Sequence, residues 1–287
     1  MQIKKAVIPA AGLGTRVLPA SKAIPKEMLP IVDKPAIQYI VEEAVASGIE
    51  DILIITSRGK SAIEDHFDRM PALEDTLRSN DKEDMLKSVI EPAKLANISY
   101  IRQQEIKGLG HAVYCAKSFT CGQPFVVLYA DDVIISDTPV TQQLIDVYNE
   151  YERPVLGIQK VSENDVQKYS SMKVAPLKDN LYTIDDMIEK PTPDKILSLF
   201  AILGRVILTS DIFDILETLP PGAGGEIQLT DAIKVMANTK GVIGVDFEGI
   251  RCDTGSKLGI MKAAVETALK HSEIKDDFAG YLKSLNI

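Results

Sequence analysis

Arg16, Lys22 and Lys26 stand within a dozen residues of Gly12 and Gly14, in the stretch IPAAGLGTRVLPASKAIPKEMLP that runs from Ile8 to Pro30. Glycine lets backbone amides come close to a ligand. Cations beside a loop of exposed amides make a site for a phosphate group. Pro19, Pro25 and Pro30 stiffen the stretch, which predicts a shaped loop and not a helix. A phosphate loop of the Walker A kind needs four residues between its glycines and a Lys-Ser/Thr pair after the second. Here one residue separates Gly12 from Gly14, and Thr15-Arg16 follows. The dinucleotide fingerprint needs a third glycine near Val17 or Leu18, and none is present. The second chemical feature is Asp131-Asp132, two carboxylates that close the apolar run PFVVLYADD.

The elements that must position these groups alternate. KAVIPA, DILIIT, ISYIRQ and PFVVLYADD read as strands, and DILIIT lacks polar alternation, as a strand covered on both faces does. PAIQYIVEEAVASG reads as a helix with Pro35 in its first turn, Ile37, Ile40, Val41, Ala44 and Val45 on one face, and Gly48 as its stop. GHAVYCAKSF also reads as helical, and the charged segment 65–94 as helical and surface-exposed. Farther on, RPVLGIQKV, LYTIDDMIEKP, AILGRVIL and GVIGVDFEG read as strands. SDIFDILETL reads as a helix capped by Ser210 or Thr209. A helix follows GEIQLTDAI, and KLGIMKAAVETALKH and IKDDFAGYLKSL make two amphipathic helices at the end. The pattern predicts an α/β fold, a mixed and mostly parallel central sheet flanked by helices. In such sheets ligands sit beyond the carboxyl ends of the strands, where the opening loop and Asp131-Asp132 both fall.

The chain has 287 residues, 45% hydrophobic and 25% charged, with a net charge of −9. An acidic chain is a poor non-specific binder of nucleic acid. No apolar run is long enough to span a bilayer, and the apolar N-terminal run breaks at Pro9 and Gly12, unlike a secretory signal. Cys115, Cys121 and Cys252 match no zinc or redox spacing, and an odd count suits a reducing compartment. These features predict a cytoplasmic protein with no nucleic-acid and no membrane partner.

The run AAGLGTRVLPASKAIPKEMLPIVDKPAIQYIVEEA closely resembles the nucleotide-sugar pyrophosphorylase family, and within it the bacterial branch that joins UTP to glucose 1-phosphate. RQQEIKGLGHA, LYADD, MIEKP, GRVIL, GEIQLTDAI and CDTGSKLG agree in the same order, so the similarity spans roughly residues 3–270. It implies a Rossmann-like nucleotidyltransferase fold in a single domain, 1–287. Residues 1–135 would mainly bind nucleotide, 136–270 mainly the sugar phosphate, and 271–287 would form a C-terminal helix. The implied reaction transfers a uridylyl group from UTP to glucose 1-phosphate, giving UDP-glucose and pyrophosphate by Mg²⁺-assisted in-line attack on the α-phosphorus. The attacking oxygen is already anionic, so catalysis is positioning and charge neutralisation.

By the same resemblance, Ala11, Gly12, Leu13 and Gly14 cradle the nucleotide, Arg16 holds its β- and γ-phosphates, and Lys26 neutralises charge at the α-phosphate. Glu27 either helps place the base or ribose or pairs with Lys26. Gln103 and Gly108 meet the uracil edge, while His111 packs or orients. Asp131 and Asp253 hold one Mg²⁺ ion, with Asp132 a turn-forming or supporting neighbour. Lys190 meets the sugar phosphate, and Glu189, Gly204 and Glu226 the sugar. Adjacent strand residues point to opposite faces, so Glu189 and Lys190 can share a ligand only across a bend, which Pro191 would supply. The chain departs from the family at Ser170, where glycine is usual after the tyrosine, at SLFA (Ser198 to Ala201), and in a shortened YSSMKVAPLKDN block. Transfer from dTTP, another hexose 1-phosphate as acceptor, or a non-catalytic nucleotide-sugar binder are the alternatives. The terminal helices and the resemblance imply a homodimer or homotetramer.

Overall fold

The computed structural model describes residues 2–285. Its strands follow in chain order as β1 (Lys5–Pro9), β2 (Pro30–Ile31), β3 (Lys34–Pro35), β4 (Asp51–Thr56), β5 (Asn97–Arg102), β6 (Phe125–Leu128), β7 (Asp132–Ile135), β8 (Val155–Lys160), β9 (Ser170–Lys178), β10 (Leu181–Glu189), β11 (Phe200–Leu208), β12 (Ile243–Asp246) and β13 (Ile250–Asp253). Nine of them form one sheet in the order β5-β4-β1-β6-β11-β8-β12-β10-β9. β5, β4, β1 and β6 pair in parallel, as do β8 and β12. β11 and β10 run against their neighbours. This is the mixed, mostly parallel α/β sheet that the alternation predicts.

Both faces of the sheet are covered. Ile52 and Ile54 of β4 join one core with Ile37, Ile40 and Val41, while Leu53 and Ile55 join the other with Val113, Phe213 and Ile233. The period of two along the strand thus feeds two helical layers. The helix Ala36–Ala46 follows Pro35 and ends before Gly48, whose φ of +81° suits a left-handed stop. The segment 65–94 resolves into exposed helices that bury little beyond Phe67, Glu74, Leu86 and Pro92.

Several boundaries differ from the sequence reading. The PFVVLYADD strand breaks after Leu128, turns through Tyr129–Asp131, and restarts at Asp132 as β7, which pairs with β13 in a separate ribbon. GHAVYCAKSF is two short helices, Leu109–Tyr114 and Lys117–Thr120. The helix Ile212–Thr218 takes Asp211 as its N-cap, without a side-chain cap, so neither Ser210 nor Thr209 caps it. The strand β9 had no alternating signal. Its Pro176 and lysines suit the sheet edge it occupies.

Candidate active site

The ends of β1, β4, β5 and β6 open on the same edge of the sheet, and each delivers a group. After β1 the loop makes three short 3₁₀ turns, Thr15–Val17, Ala20–Lys22 and Lys26–Met28, and no α-helix. The two glycines differ. Gly14 has φ +69°, and a Cβ there would come 3.2 Å from the Lys26 and Ser21 side chains. Gly12 faces open space. Ala11 is buried and Leu13 exposed.

Lys60, just beyond β4, is a buried ammonium that donates to the Ala10 carbonyl at 2.5 Å and to both Glu27 oxygens at 2.9 and 2.8 Å. Burial pushes the Glu27 carboxyl up and the Lys60 ammonium down, each against its partner's pull. Glu27 is therefore paired with Lys60, not with its neighbour Lys26. It pins the turn that carries Lys26 to the start of the loop.

Beyond β6, Asp131 accepts from Lys26 Nζ at 2.5 Å and, with Asp253, from the Arg16 guanidinium at 3.5 and 3.1 Å. Burial works to lower the Lys26 pKa, but Asp131 and Glu27 outweigh it and raise it. Burial likewise works to raise that of Asp131, but Lys26 and Arg16 hold it low. Both groups stay charged. Pairing of β7 with β13 sets Asp132 opposite Asp253. The Thr254 amide and hydroxyl both donate to the Asp131 carbonyl, at 2.8 and 2.9 Å. Two carboxylates from distant segments thus meet at one guanidinium. Asp132 points elsewhere and pairs with Arg251 at 2.7 and 2.6 Å, a supporting role.

Arg16, Asp131, Asp132, Arg251 and Asp253 line a cleft of about 440 Å³ with Tyr129, Lys168, Tyr169 and Lys190. Lys190 has φ +44°, and its amide donates to the Tyr169 carbonyl at 2.7 Å. The bend expected from Pro191 falls on Lys190 itself, a left-handed conformation unusual for a non-glycine residue. Glu189, one residue back, accepts from the Thr230 hydroxyl at 2.7 Å, and burial pushes its carboxyl up. Gly204, φ +77°, would set a Cβ 2.8 Å from Cβ of Asp132, so its bare backbone clears that carboxylate. Ser170 is buried and accepts from the Ile202 amide at 3.1 Å, so its hydroxyl serves the sheet.

A second cleft of about 250 Å³ adjoins the first and shares Tyr129 and Asp131 with it. Ala11, Gly12, Lys26, Glu27, Gln103 and Gly108 line it. Glu226, assigned to the sugar side by resemblance, lines this cleft and not the larger one. The Gln103 amide donates to the Gly108 carbonyl at 3.1 Å and meets His111 Nδ1 at 2.9 Å. Its carbonyl oxygen remains to accept from a ligand. Burial, then Lys107, lowers the His111 pKa, which keeps it a neutral orienting group. Gly108, φ +99°, would drive a Cβ to 2.7 Å from that of Glu226.

Among the described residues no three His, Cys, Asp or Glu side chains are grouped to hold a metal alone. Two carboxylates facing one cation fit magnesium, which takes one or two carboxylates together with phosphate oxygens and water. Lys60, Arg251 and Gly255 escaped the sequence reading, and Tyr169 entered it only as the tyrosine before Ser170. Arg251 stands two residues before Asp253 on a strand, hence on the same face, a signal that could have found it. Nothing local marks Lys60.

The nucleotidyl transferase family model matches residues 5–269. The UTP–glucose-1-phosphate uridylyltransferase of Staphylococcus epidermidis is 52% identical over 286 residues, covering 100% of this chain and 99% of that protein. The UTP–glucose-1-phosphate uridylyltransferase YngB of Bacillus subtilis is 51% identical over 284 residues, covering 99% and 96%. Among solved structures, the UTP-bound UGPase of Acinetobacter baumannii superposes with a TM-score of 0.92 at 37% identity, covering 99% of this chain and 100% of that one. A UDP-glucose pyrophosphorylase complexed with UDP-glucose gives 0.86 at 42% identity, covering 94% and 100%.

Proposed function

This chain belongs to the nucleotidyl transferase family, and on that premise we propose that it transfers the uridylyl group of UTP to glucose 1-phosphate, forming UDP-glucose and releasing pyrophosphate. The observation that carries the reading is the pair of adjoining clefts that share Asp131. One offers loop amides and Gln103, as a nucleotide requires. The other offers Lys190, as a second phosphate requires, and carries Arg16 beside the shared Asp131. Relatives at 52% and 51% identity bear this activity in their names, and solved neighbours hold UTP and UDP-glucose.

In this reading residues 1–135 serve mainly the nucleotide and 136–270 mainly the acceptor. Gln103 takes the uracil edge, and the amides of residues 11–14 face the phosphates. Lys26 turns from Asp131 to the α-phosphate, Arg16 from the carboxylates to the β- and γ-phosphates, and Lys190 holds the sugar phosphate. A sugar phosphate oxygen forms its bond to the α-phosphorus as the bond to the β-phosphate oxygen breaks. Pyrophosphate leaves with the electron pair, and no general base is needed. Asp131 and Asp253 would hold a Mg²⁺ ion, whose charge screens one phosphate from the other. We also infer a cytoplasmic homodimer or homotetramer. Three unpaired cysteines and exposed Leu258, Met261, Leu269 and Tyr281 on the terminal helices support it, together with the absence, among the described residues, of a helix able to cross a membrane.

The test is pyrophosphate release with UTP, dTTP and a panel of hexose 1-phosphates. UTP with glucose 1-phosphate should give the highest kcat/KM. A higher value for another pair would reassign the substrates, and no release with any pair would leave the transfer reading without support.

A further inference from the structure

The strands β9 and β10 pair along their whole length, with Ser170 opposite Glu189. Tyr169 and Lys190 are the next cross-strand neighbours, at the end of this arm that opens on the larger cleft. Three contacts converge on Tyr169. Its hydroxyl donates to Asp253 Oδ2 at 2.9 Å. Its carbonyl accepts from the Lys190 amide at 2.7 Å, at the residue whose φ is +44°. Its ring lies under the Arg251 guanidinium at 4.4 Å, and Asp132 holds that guanidinium in turn.

We propose that Tyr169 is a positioning residue that fixes the two halves of the acceptor site to each other: its hydroxyl aims Asp253 while its backbone holds the turn that presents Lys190. The inference rests on the reading above, in which Asp253 holds the cation and Lys190 the sugar phosphate. In this structure Asp253 Oδ2 takes two donors, Tyr169 and Arg16, and Oδ1 takes the Gly255 amide at 3.0 Å. When Arg16 turns to a nucleotide phosphate, Asp253 loses one of them. The Tyr169 hydroxyl and the Gly255 amide then set the carboxylate plane alone, one donor on each oxygen. A phenol bound to a carboxylate is a charge-assisted contact, stronger than one between neutral groups. Without it Asp253 swings about its side-chain torsions, and the cation loses a preset ligand.

Tyr169→Phe tests this cleanly. It removes the hydroxyl but keeps the ring under Arg251 and the carbonyl under Lys190. Mn²⁺ is the probe, titrated into the protein–UTP complex and followed by the loss of its free paramagnetic resonance signal. Partners that orient a metal ligand are typically worth about 10- to 100-fold in metal affinity or activity. Tyr169→Phe should therefore weaken Mn²⁺ by about 10-fold or more and lower kcat alongside. UTP affinity measured by calorimetry in chelator should stay at the wild-type value, which also shows that the variant is folded. In the Asp253→Asn background the same substitution should change Mn²⁺ affinity no further, because the hydroxyl acts through that carboxylate. Wild-type Mn²⁺ affinity in Tyr169→Phe, or an equal loss with and without Asp253, overturns the inference. A wild-type complex that takes up no Mn²⁺ and turns over in chelator overturns the metal reading itself, which the first two outcomes leave standing.

Discussion

Lys190 and Gly255 show how one atom group can matter to binding while adding nothing to the core. Lys190 is exposed and sits at the cleft rim. Replacing it with alanine should raise the KM for glucose 1-phosphate by about 10-fold or more, since hydrogen bonds to charged groups are worth about 1.5–3 kcal/mol. UTP affinity by calorimetry should hardly change, and an equal loss for UTP would move Lys190 to the nucleotide. Gly255 has the opposite character. A Cβ there would meet the Arg16 guanidinium and come 2.7 Å from Asp131 Oδ2 and 2.9 Å from Asp253 Oδ1. Gly255→Ala should displace the groups that meet the phosphates. A displacement of about 1 Å can cost about 10²-fold in rate. Turnover should fall on that scale while the urea midpoint stays near wild type, and a variant with wild-type kcat would show that Arg16 gives way at no cost.

Among the elements, three are locked by one buried pair. Arg205 of β11 is fully buried and reaches Glu43 of the helix Ala36–Ala46 through Nε at 2.8 Å and a terminal nitrogen at 2.5 Å. Thr141, on the helix Val140–Tyr151, gives the same carboxylate its amide and hydroxyl at 3.0 and 2.7 Å. Arg205 also donates to the Gly204 carbonyl at 3.0 Å, which accepts from the Tyr129 amide at 2.8 Å, so the lock reaches the turn before Asp131. Removing one partner of a buried pair costs about 3–5 kcal/mol, so Glu43→Ala should lower unfolding free energy by that amount in urea. Burial works to raise the Glu43 pKa, but Arg205 and Thr141 outweigh it and hold it below the usual 4.5. A lowered carboxyl pKa stabilises the fold fully above the unfolded value and loses that contribution as pH falls through the folded one. Stability should therefore drop as pH falls below 4.5, and Glu43→Ala should flatten this part of the profile. Equal slopes in both proteins would place the acid sensitivity elsewhere.

At the scale of the whole molecule, the nucleotide is a ligand of the folded state alone, because its site is assembled from four strand ends. A ligand at about 100 times its Kd adds about 2.7 kcal/mol of unfolding free energy. UTP should supply this in urea denaturation with Mg²⁺ present. CTP should supply much less. The Gln103 NH₂ is spent on Gly108 and His111, so its oxygen can accept the N3 proton of uracil. Cytosine offers an acceptor at that position, and two facing acceptors leave both unpaired. Equal stabilisation by the two nucleotides would mean that Gln103 does not read the base.

The strands, most helices and the edge at which ligands collect follow from the sequence, because apolar period and Gly/Pro punctuation are local properties. DILIIT announces a strand covered on both faces without reference to any neighbour. The motifs named Arg16, Lys26, Asp131, Lys190 and Asp253 for the same reason, as blocks of adjacent residues. Which of these meet was decided only by tertiary structure. The Lys26–Asp131 contact spans 105 positions and the Arg16–Asp253 contact 237. Glu27 turned inward to Lys60 and not toward Lys26, because burial rewards a carboxylate that finds a buried cation. Lys60 carries no motif and Tyr169 is marked only as the neighbour of Ser170, since a lone lysine or tyrosine has the same local signature on any surface. Their roles exist only once β1 is laid beside β4 and the β9–β10 arm is brought against β13, for the partner that gives each its meaning lies elsewhere in the chain.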